Sequence, residues 1–452
     1  MARRLAIVGG DAAGMSAAST ARRRDSDLEV VAFERGPYTS YSACGIPYYL
    51  GGLFEDSDRL ISRSPDEHRA NGITVHARTE VVGIDLDARR LSVRDHQTGE
   101  ERSESFDELV IATGAEAVAP PIPGADATEP VRTVDAAERF HAALERGGKH
   151  HHVVVIGGGY IGLEMAEALT QREIPTTLVE AAPQVMSTLD ADMAAHVQDA
   201  AEGIGVRVVV GTGVEEVLLD DAGAPRAVRL AGGETIDADH VVMATGVKPA
   251  VALAEAAGIE LGPSGAVRVD DHQRCPGQDG IFAAGDCAES WHRLLRKPVN
   301  VQLGTHANKQ GRIAGANATG GDLAFPGVIG TAVSRLCRYE VARTGLSERE
   351  AADADIEVVT ATVKDRTRAG YFPGAGPIWV KLVCEPETGR LLGGQIVGVE
   401  GAAKRIDVLA TCVWAELAVE EIELLDLGYA PPYSGVYDPL LVAARAAVKA
   451  LR

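Results

Sequence analysis

Two short apolar runs, each closed by a glycine turn, organise the first half of the chain. Leu5-Ala6-Ile7-Val8 runs into Gly9-Gly10-Asp11-Ala12-Ala13-Gly14, and Val153-Val154-Val155-Ile156 runs into Gly157-Gly158-Gly159-Tyr160-Ile161-Gly162. An apolar run before a glycine turn reads as a buried strand, and the small residues after the turn open a helix. Each copy has an acidic residue closing its next apolar run, Glu34 after Val31-Ala32-Phe33 and Glu180 after Thr177-Leu178-Val179. Each also ends in a strand followed by Ala-Thr-Gly, at 112–114 and at 244–246. A further strand, Gly280 to Asp286, returns to the first copy. After about residue 325 the period changes to two. Residues 356–363 and 378–399 alternate like antiparallel strands, most clearly Leu391 to Gly398. A helical segment at about 402–418 follows, and a last helix begins after Asp438-Pro439.

This pattern predicts an α/β chain with two Rossmann-like dinucleotide-binding domains and a C-terminal α+β domain. The first domain is discontinuous, 1–118 and 251–324, because the second, 119–250, is inserted into it; the third is 325–452. Pro120-Pro121-Ile122-Pro123-Gly124 reads as an early connection between the first two. Two such units imply two dinucleotides.

Composition narrows the partners. Aromatic residues are 4% of the 452, so the cores must rest on Ala, Val, Leu and Ile. The net charge of −21 argues against nucleic acid or an anionic membrane surface. An anionic ligand then needs local positive charge, which Arg22-Arg23-Arg24 supplies. The run Leu5–Val8 is too short for a signal-peptide core, and no apolar stretch reaches about 18 residues, so a soluble cytoplasmic protein is expected. Cysteines 44, 275, 287, 337, 384 and 412 lack a disulfide-framework spacing, which fits a reducing compartment. His272, Cys275, Cys287 and His292 have a superficial metal spacing, yet they straddle the Gly285-Asp286 element, and no metal is expected. His150-His151-His152 reads as an exposed turn.

The motifs carry specific chemistry. Gly157, Gly159 and Gly162 keep the full G-x-G-x-x-G, which admits a pyrophosphate at a helix N-terminus. The first loop departs from it, with Asp11 where the middle glycine belongs. Glu180 accepts from an adenosine ribose 2′-hydroxyl and repels a 2′-phosphate, and the following Ala181-Ala182 offers that phosphate no cation. NADH is therefore expected over NADPH. Asp286, at a strand end, can accept from sugar-alcohol hydroxyls. Cys44, in Ser40-Tyr41-Ser42-Ala43-Cys44-Gly45-Ile46-Pro47-Tyr48-Tyr49, has no nearby sequence partner. A lone cysteine just after a dinucleotide-binding unit, if that dinucleotide is a flavin, points to redox chemistry whose second sulfur comes from outside. Its place before Gly45-Ile46-Pro47 puts it at a helix N-terminus, where the dipole should lower the thiol pKa.

On the segment Tyr41–Tyr49, on Gly157–Glu167, Ala283–Asp286 and Ala307–Gly311, and on Tyr429-Ala430-Pro431-Pro432-Tyr433-Ser434, the whole chain resembles the FAD-dependent pyridine nucleotide–disulfide oxidoreductases. Within them it is most similar to the single-cysteine branch and, at the cysteine, to coenzyme A disulfide reductases. The resemblance implies FAD held by Gly9, Gly10, Ala13, Gly14, Glu34, Arg35, Val81, Thr113, Gly114 and Asp286. It implies NADH on Gly157, Gly159, Tyr160, Ile161, Gly162, Glu180 and Gly246, with Glu164 positioning the nicotinamide. It implies a homodimer joined through the third domain, and a coenzyme A mixed disulfide on Cys44. Tyr429, and less directly Tyr371, would protonate the leaving thiolate from the partner subunit, while Arg23, Thr20, Ser40 and His306 would contact coenzyme A.

Two departures shape the reading. Ala43 stands where coenzyme A disulfide reductases often carry Asn, and Ala12 stands where peroxidases and water-forming oxidases carry His. The leading expectation is an NADH-dependent reductase of coenzyme A disulfide or persulfide, a small-molecule substrate. An oxidase or peroxidase cycling Cys44 through sulfenic acid, a polysulfide reductase and a slow redox sensor are the alternatives.

Overall fold

Runs with no polar face need a sheet covered on both sides, as parallel sheets are. A computed structural model describes residues 3–129, 131–147 and 151–452. In it, Arg4–Val8 is the middle strand of a five-stranded parallel sheet, in the order Ile281–Ala283, Glu108–Ile111, Arg4–Val8, Glu29–Glu34, Thr74–Ala77. Val153–Ile156 holds an inner place in a four-stranded parallel sheet, between Thr176–Glu180 and His240–Met243, with Arg207–Val210 outside. Val153, Val154 and Val155 are fully buried, each contributing about 1.5–3 kcal/mol of burial free energy.

The strand Ile281–Ala283 joins the first sheet although it follows the second in sequence. Two antiparallel strands carry the chain across and back, Ala115–Ala117 and Val247–Pro249. Here the repeated Ala-Thr-Gly acquires a purpose the sequence did not disclose. Thr113 Oγ1 donates to Ala250 O at 2.7 Å, and Thr245 Oγ1 donates to Val118 O. Each threonine clasps the other crossing strand.

Helix Ala12–Arg24 covers the first sheet and packs on helix Gly304–Asn317. A Cβ at Gly311 or Gly315 would collide with the backbone oxygen of Ala13 or Ala17. Two glycines inside a helix are tolerated because they let the backbones touch.

The third unit is a five-stranded antiparallel sheet, in the order Ala332–Leu336, Tyr339–Gly345, Leu391–Gly398, Pro377–Cys384, Val359–Arg366. Helices Ile406–Trp414 and Pro439–Ala450 cover it, and Leu336, Val341 and Val397 pack against Leu163, Met193 and Val197 of the second unit. The strand expected at 356–363 begins at Val359, because Ile356 N still bonds Ala351 O at the end of the preceding helix. The helix expected over about 402–418 is broken: Ile406–Trp414 ends before Glu416, which is left-handed at φ 58°, and Val419–Ile422 restarts it. The last helix starts as expected at Pro439, with Asp438 accepting from Leu440 N at 3.0 Å.

His150 lies outside the described residues. His151 and His152 are half-buried, not an exposed turn: His152 Nε2 pairs with Thr177 Oγ1 at 3.0 Å and His151 with His240 at 3.1 Å. An ionic seam joins the second unit to the third. Lys381 Nζ, 4% exposed, reaches Asp192 at 2.8 Å and Asp190 and Glu348 at 3.3 Å. Gln395 Nε2 donates to Asp190 Oδ2 at 2.6 Å.

Candidate active site

The two glycine loops are built alike. Gly9 and Gly157 take φ of 108° and 109°, open only to glycine at no cost, and a Cβ at either would strike the oxygen of Ala112 or Ala244. Gly14 and Gly162 let helix and loop close on each other. Glu34 and Glu180 repeat one arrangement that sequence reasoning missed. Glu34 accepts from Gly10 N and Gly36 N, both at 2.7 Å. Glu180 accepts from Gly158 N at 2.6 Å and Ala182 N at 2.7 Å. Each carboxylate braces its own loop and keeps lone pairs for a further donor.

Helices Ala12–Arg24 and Tyr160–Gln171 begin without a side-chain cap, leaving first-turn N–H groups for a ligand. A Cβ at Gly159 would meet only open space, as would one at Gly114 or Gly246. The residues present therefore fit two dinucleotides. Asp286 is half-buried beside the first loop, its carboxyl raised by burial and lowered by Arg132. Val81 is buried in strand Thr79–Asp85, Arg35 is exposed, and Thr113 spends its hydroxyl on the crossing strand. Tyr160 is half-buried with its hydroxyl 3.5 Å from Thr188 Oγ1, and Ile161 is exposed.

Cys44 lies on the turn Ala43–Gly45 that leads into helix Ile46–Leu50. Ile46, Tyr49 and Leu50 bury themselves against Met165 and Leu169 of the second loop's helix. On the other side Tyr41 N donates to Asp11 Oδ1 at 3.2 Å and Ser40 N to Gly10 O at 3.0 Å. The cysteine is thus strung between the two glycine loops. It is exposed, whereas Cys337 is half-buried and the other four thiols are buried.

The thiol pKa is the opposite of the expectation from the helix. The residue has an open face, yet the atoms packed round its sulfur desolvate it and push Cys44 up, and the charges of Glu164, Asp11 and Asp286 push the same way. A five-residue helix offers a weak dipole, and desolvation, with Glu164 behind it, outweighs it. Glu164 is itself raised by burial and accepts from Ser334 Oγ at 2.7 Å, which ties the second loop's helix to the third unit.

The substrate-contact candidates divide. Arg23 is exposed and donates to the buried Thr20 at 3.3 Å, while Arg22 and Arg24 are held by Ser26 O and Thr319. Ser40, left-handed at φ 47°, pairs with the buried His68 at 3.0 Å. Burial holds His68 down to about 4, so it stays neutral at pH 7. His306 Nδ1 is buried without a partner. Tyr371 and Tyr429 stand exposed on the third unit, 78% and 51%, with Tyr433, Val436 and Tyr437 also uncovered. Among the described residues the one cluster with metal-ligand geometry is Asp270, Asp271 and His272, an exposed group whose histidine pairs with Asp271 and Asp322.

Comparison with known proteins agrees with this geometry. Residues 3–311 match the family described as pyridine nucleotide-disulphide oxidoreductase, and residues 331–439 match its dimerisation domain. The NAD(P)H coenzyme A polysulfide/persulfide reductase of Pyrococcus horikoshii is 36% identical over 98% of each chain. An NADH oxidase of Methanocaldococcus jannaschii is 35% identical over 99% of each. The crystal structure of reduced Bacillus anthracis CoADR-RHD superposes with a TM-score of 0.95 at 33% identity, covering 100% of this chain and 81% of that one.

Proposed function

The chain belongs to the pyridine nucleotide-disulphide oxidoreductases, and on that premise we propose that it is an NADH-dependent flavoprotein reductase of coenzyme A disulfide or persulfide, working through a mixed disulfide on Cys44. One observation carries the reading: a single exposed thiol is strung between two dinucleotide loops. FAD, when bound at the first loop, relays the electron pair between nicotinamide and sulfur.

The residues of the chain do the rest. The Cys44 thiolate attacks one sulfur of the disulfide, forming a mixed disulfide and releasing one thiol. Two electrons from NADH cleave that bond, returning the Cys44 thiolate and the second thiol. The sum is NADH, one proton and RSSR giving NAD⁺ and two RSH. With a persulfide, RSSH gives RSH and H₂S. A thiol raised by burial and by Glu164 is a sluggish nucleophile when free. A cycle that leaves Cys44 capped between turnovers avoids this, because the thiolate is generated by reduction. Arg23 offers its exposed guanidinium to the phosphates of coenzyme A. The leaving thiolate takes its proton from Tyr429 of the partner subunit, with Tyr371 of the partner subunit the second candidate. The exposed tyrosines of the third unit are then the face a second copy covers.

Anaerobic NADH consumption tests the reading. Coenzyme A disulfide should release two thiols per NADH, or the persulfide one sulfide. Inactivity with both, alongside turnover with oxygen or peroxide, would replace it with the oxidase reading, which the Methanocaldococcus relative favours and Ala12 disfavours.

Cofactor choice is tested separately at Glu180. Glu180→Ala should raise the NADPH-to-NADH ratio of kcat/KM by about tenfold, because it removes a charge facing the 2′-phosphate. NADH activity should also fall, since Gly158 N and Ala182 N lose their acceptor. An unchanged ratio would locate the discrimination elsewhere.

A further inference from the structure

The first glycine loop carries a carboxyl where the second carries none. Asp11 precedes helix Ala12–Arg24 as Gly159 precedes helix Tyr160–Gln171. At Gly159 a Cβ would face open space, the room a pyrophosphate needs. Asp11 does not cap its own helix; its Oδ1 accepts from Tyr41 N at 3.2 Å. The backbone N–H groups of Tyr41 and Ala12 favour its charge, but burial and two carboxylates oppose it and prevail. Glu34 faces it from the second strand and Asp286 from beyond strand Ile281–Ala283. Cys44 stands on the neighbouring turn, within reach of the Asp11 charge. Arg132, the cation of this cluster, acts on Asp286 and Tyr41. Burial, then Glu34, lift Asp11 to about 7 before any phosphate arrives. A dinucleotide brings two further negative charges to the same helix start.

We propose that Asp11 is a proton-binding position of the flavin site: FAD is held with the Asp11 carboxyl neutral, so a proton enters with the cofactor and leaves with it. The inference rests on FAD occupying the first glycine loop. A neutral carboxyl still accepts from Tyr41 N and gains an O–H to donate, whereas an ionised one repels the diphosphate. Asp11 thereby makes flavin retention depend on pH, in a range where a glycine at position 11, like the one in the second loop, would leave it indifferent.

The test follows flavin release from the holoenzyme by its fluorescence between pH 6 and 9. Above pH 7 one coupled proton weakens FAD binding by up to about tenfold per pH unit. In Asp11→Asn, which keeps the acceptor for Tyr41 N, retention should be flat with pH and tighter than wild type at pH 9. Calorimetry of FAD rebinding at pH 8.5, in buffers of different protonation heat, should show about one proton taken up by the wild type and none by the variant. A flat wild-type profile, zero wild-type uptake or an identical profile in Asp11→Asn would each overturn the proposal. Should the variant fold poorly, the wild-type proton count decides alone. Failure to bind FAD at any pH would instead refute the assignment of the first loop.

Discussion

Cys44→Ser is expected to lower NADH-dependent disulfide reduction by about three orders of magnitude or more while FAD stays bound. A serine hydroxyl cannot form the mixed disulfide, and no other thiol takes over from the turn Ala43–Gly45. The two glycine loops should be unaffected, because Cys44 is exposed and braces neither of them. An unchanged visible flavin spectrum with lost turnover therefore separates chemistry from folding. Cys337→Ser is the matched control. That thiol is half-buried, is raised to about 11 by burial and Glu167, and should leave turnover at the wild-type level. Retained turnover in Cys44→Ser would remove the mixed disulfide from the cycle. The pH profile adds a second reading. Because Cys44 is raised, alkylation of the free thiol should keep accelerating above the ordinary thiol range and not level off near neutrality.

Lys381→Met should cost about 3 kcal/mol of stability, read as a lower denaturant midpoint. The ammonium is almost fully buried and holds Asp190, Asp192 and Glu348 at the seam between the second and third units. Burial alone would lower its pKa, yet these carboxylates raise it above the ordinary lysine value. Its contribution is thus complete below that value and is lost only as pH rises beyond it. Methionine fills similar volume but leaves Asp190 buried without its cation; Asp192 and Glu348, half-exposed, recover hydration. Asp190→Asn combined with Lys381→Met should cost less than the sum of the single changes. Strict additivity, or no loss in Lys381→Met, would show that the seam is held by apolar contact of Leu336, Val341 and Val397 instead.

The glycine loops were legible in the sequence because their constraints are local. A φ near 108° and a helix packed on its own turn admit glycine alone, so Gly9, Gly14, Gly157 and Gly162 announce themselves wherever the chain folds. Strands covered on both faces likewise tolerate no polar face, which made the parallel Val153–Ile156 and the central antiparallel Leu391–Gly398 readable. The break at Glu416 was hidden because glutamate is a good helix former, yet here it takes the left-handed place at a helix end, with Glu416 N bonded to Val413 O and Leu417 N to Cys412 O. The clasps from Thr113 and Thr245, the pairing of Ser40 with His68 and the seam around Lys381 join residues far apart in the chain. No periodicity records such pairs. The electrostatics of Cys44 belong to the same class. The sequence determined that a lone thiol stands at a helix start beside two dinucleotide loops. Only the tertiary structure decided that the sulfur is desolvated by what packs round it and that Glu164, from a separate segment, faces it, which together outweigh a one-turn dipole.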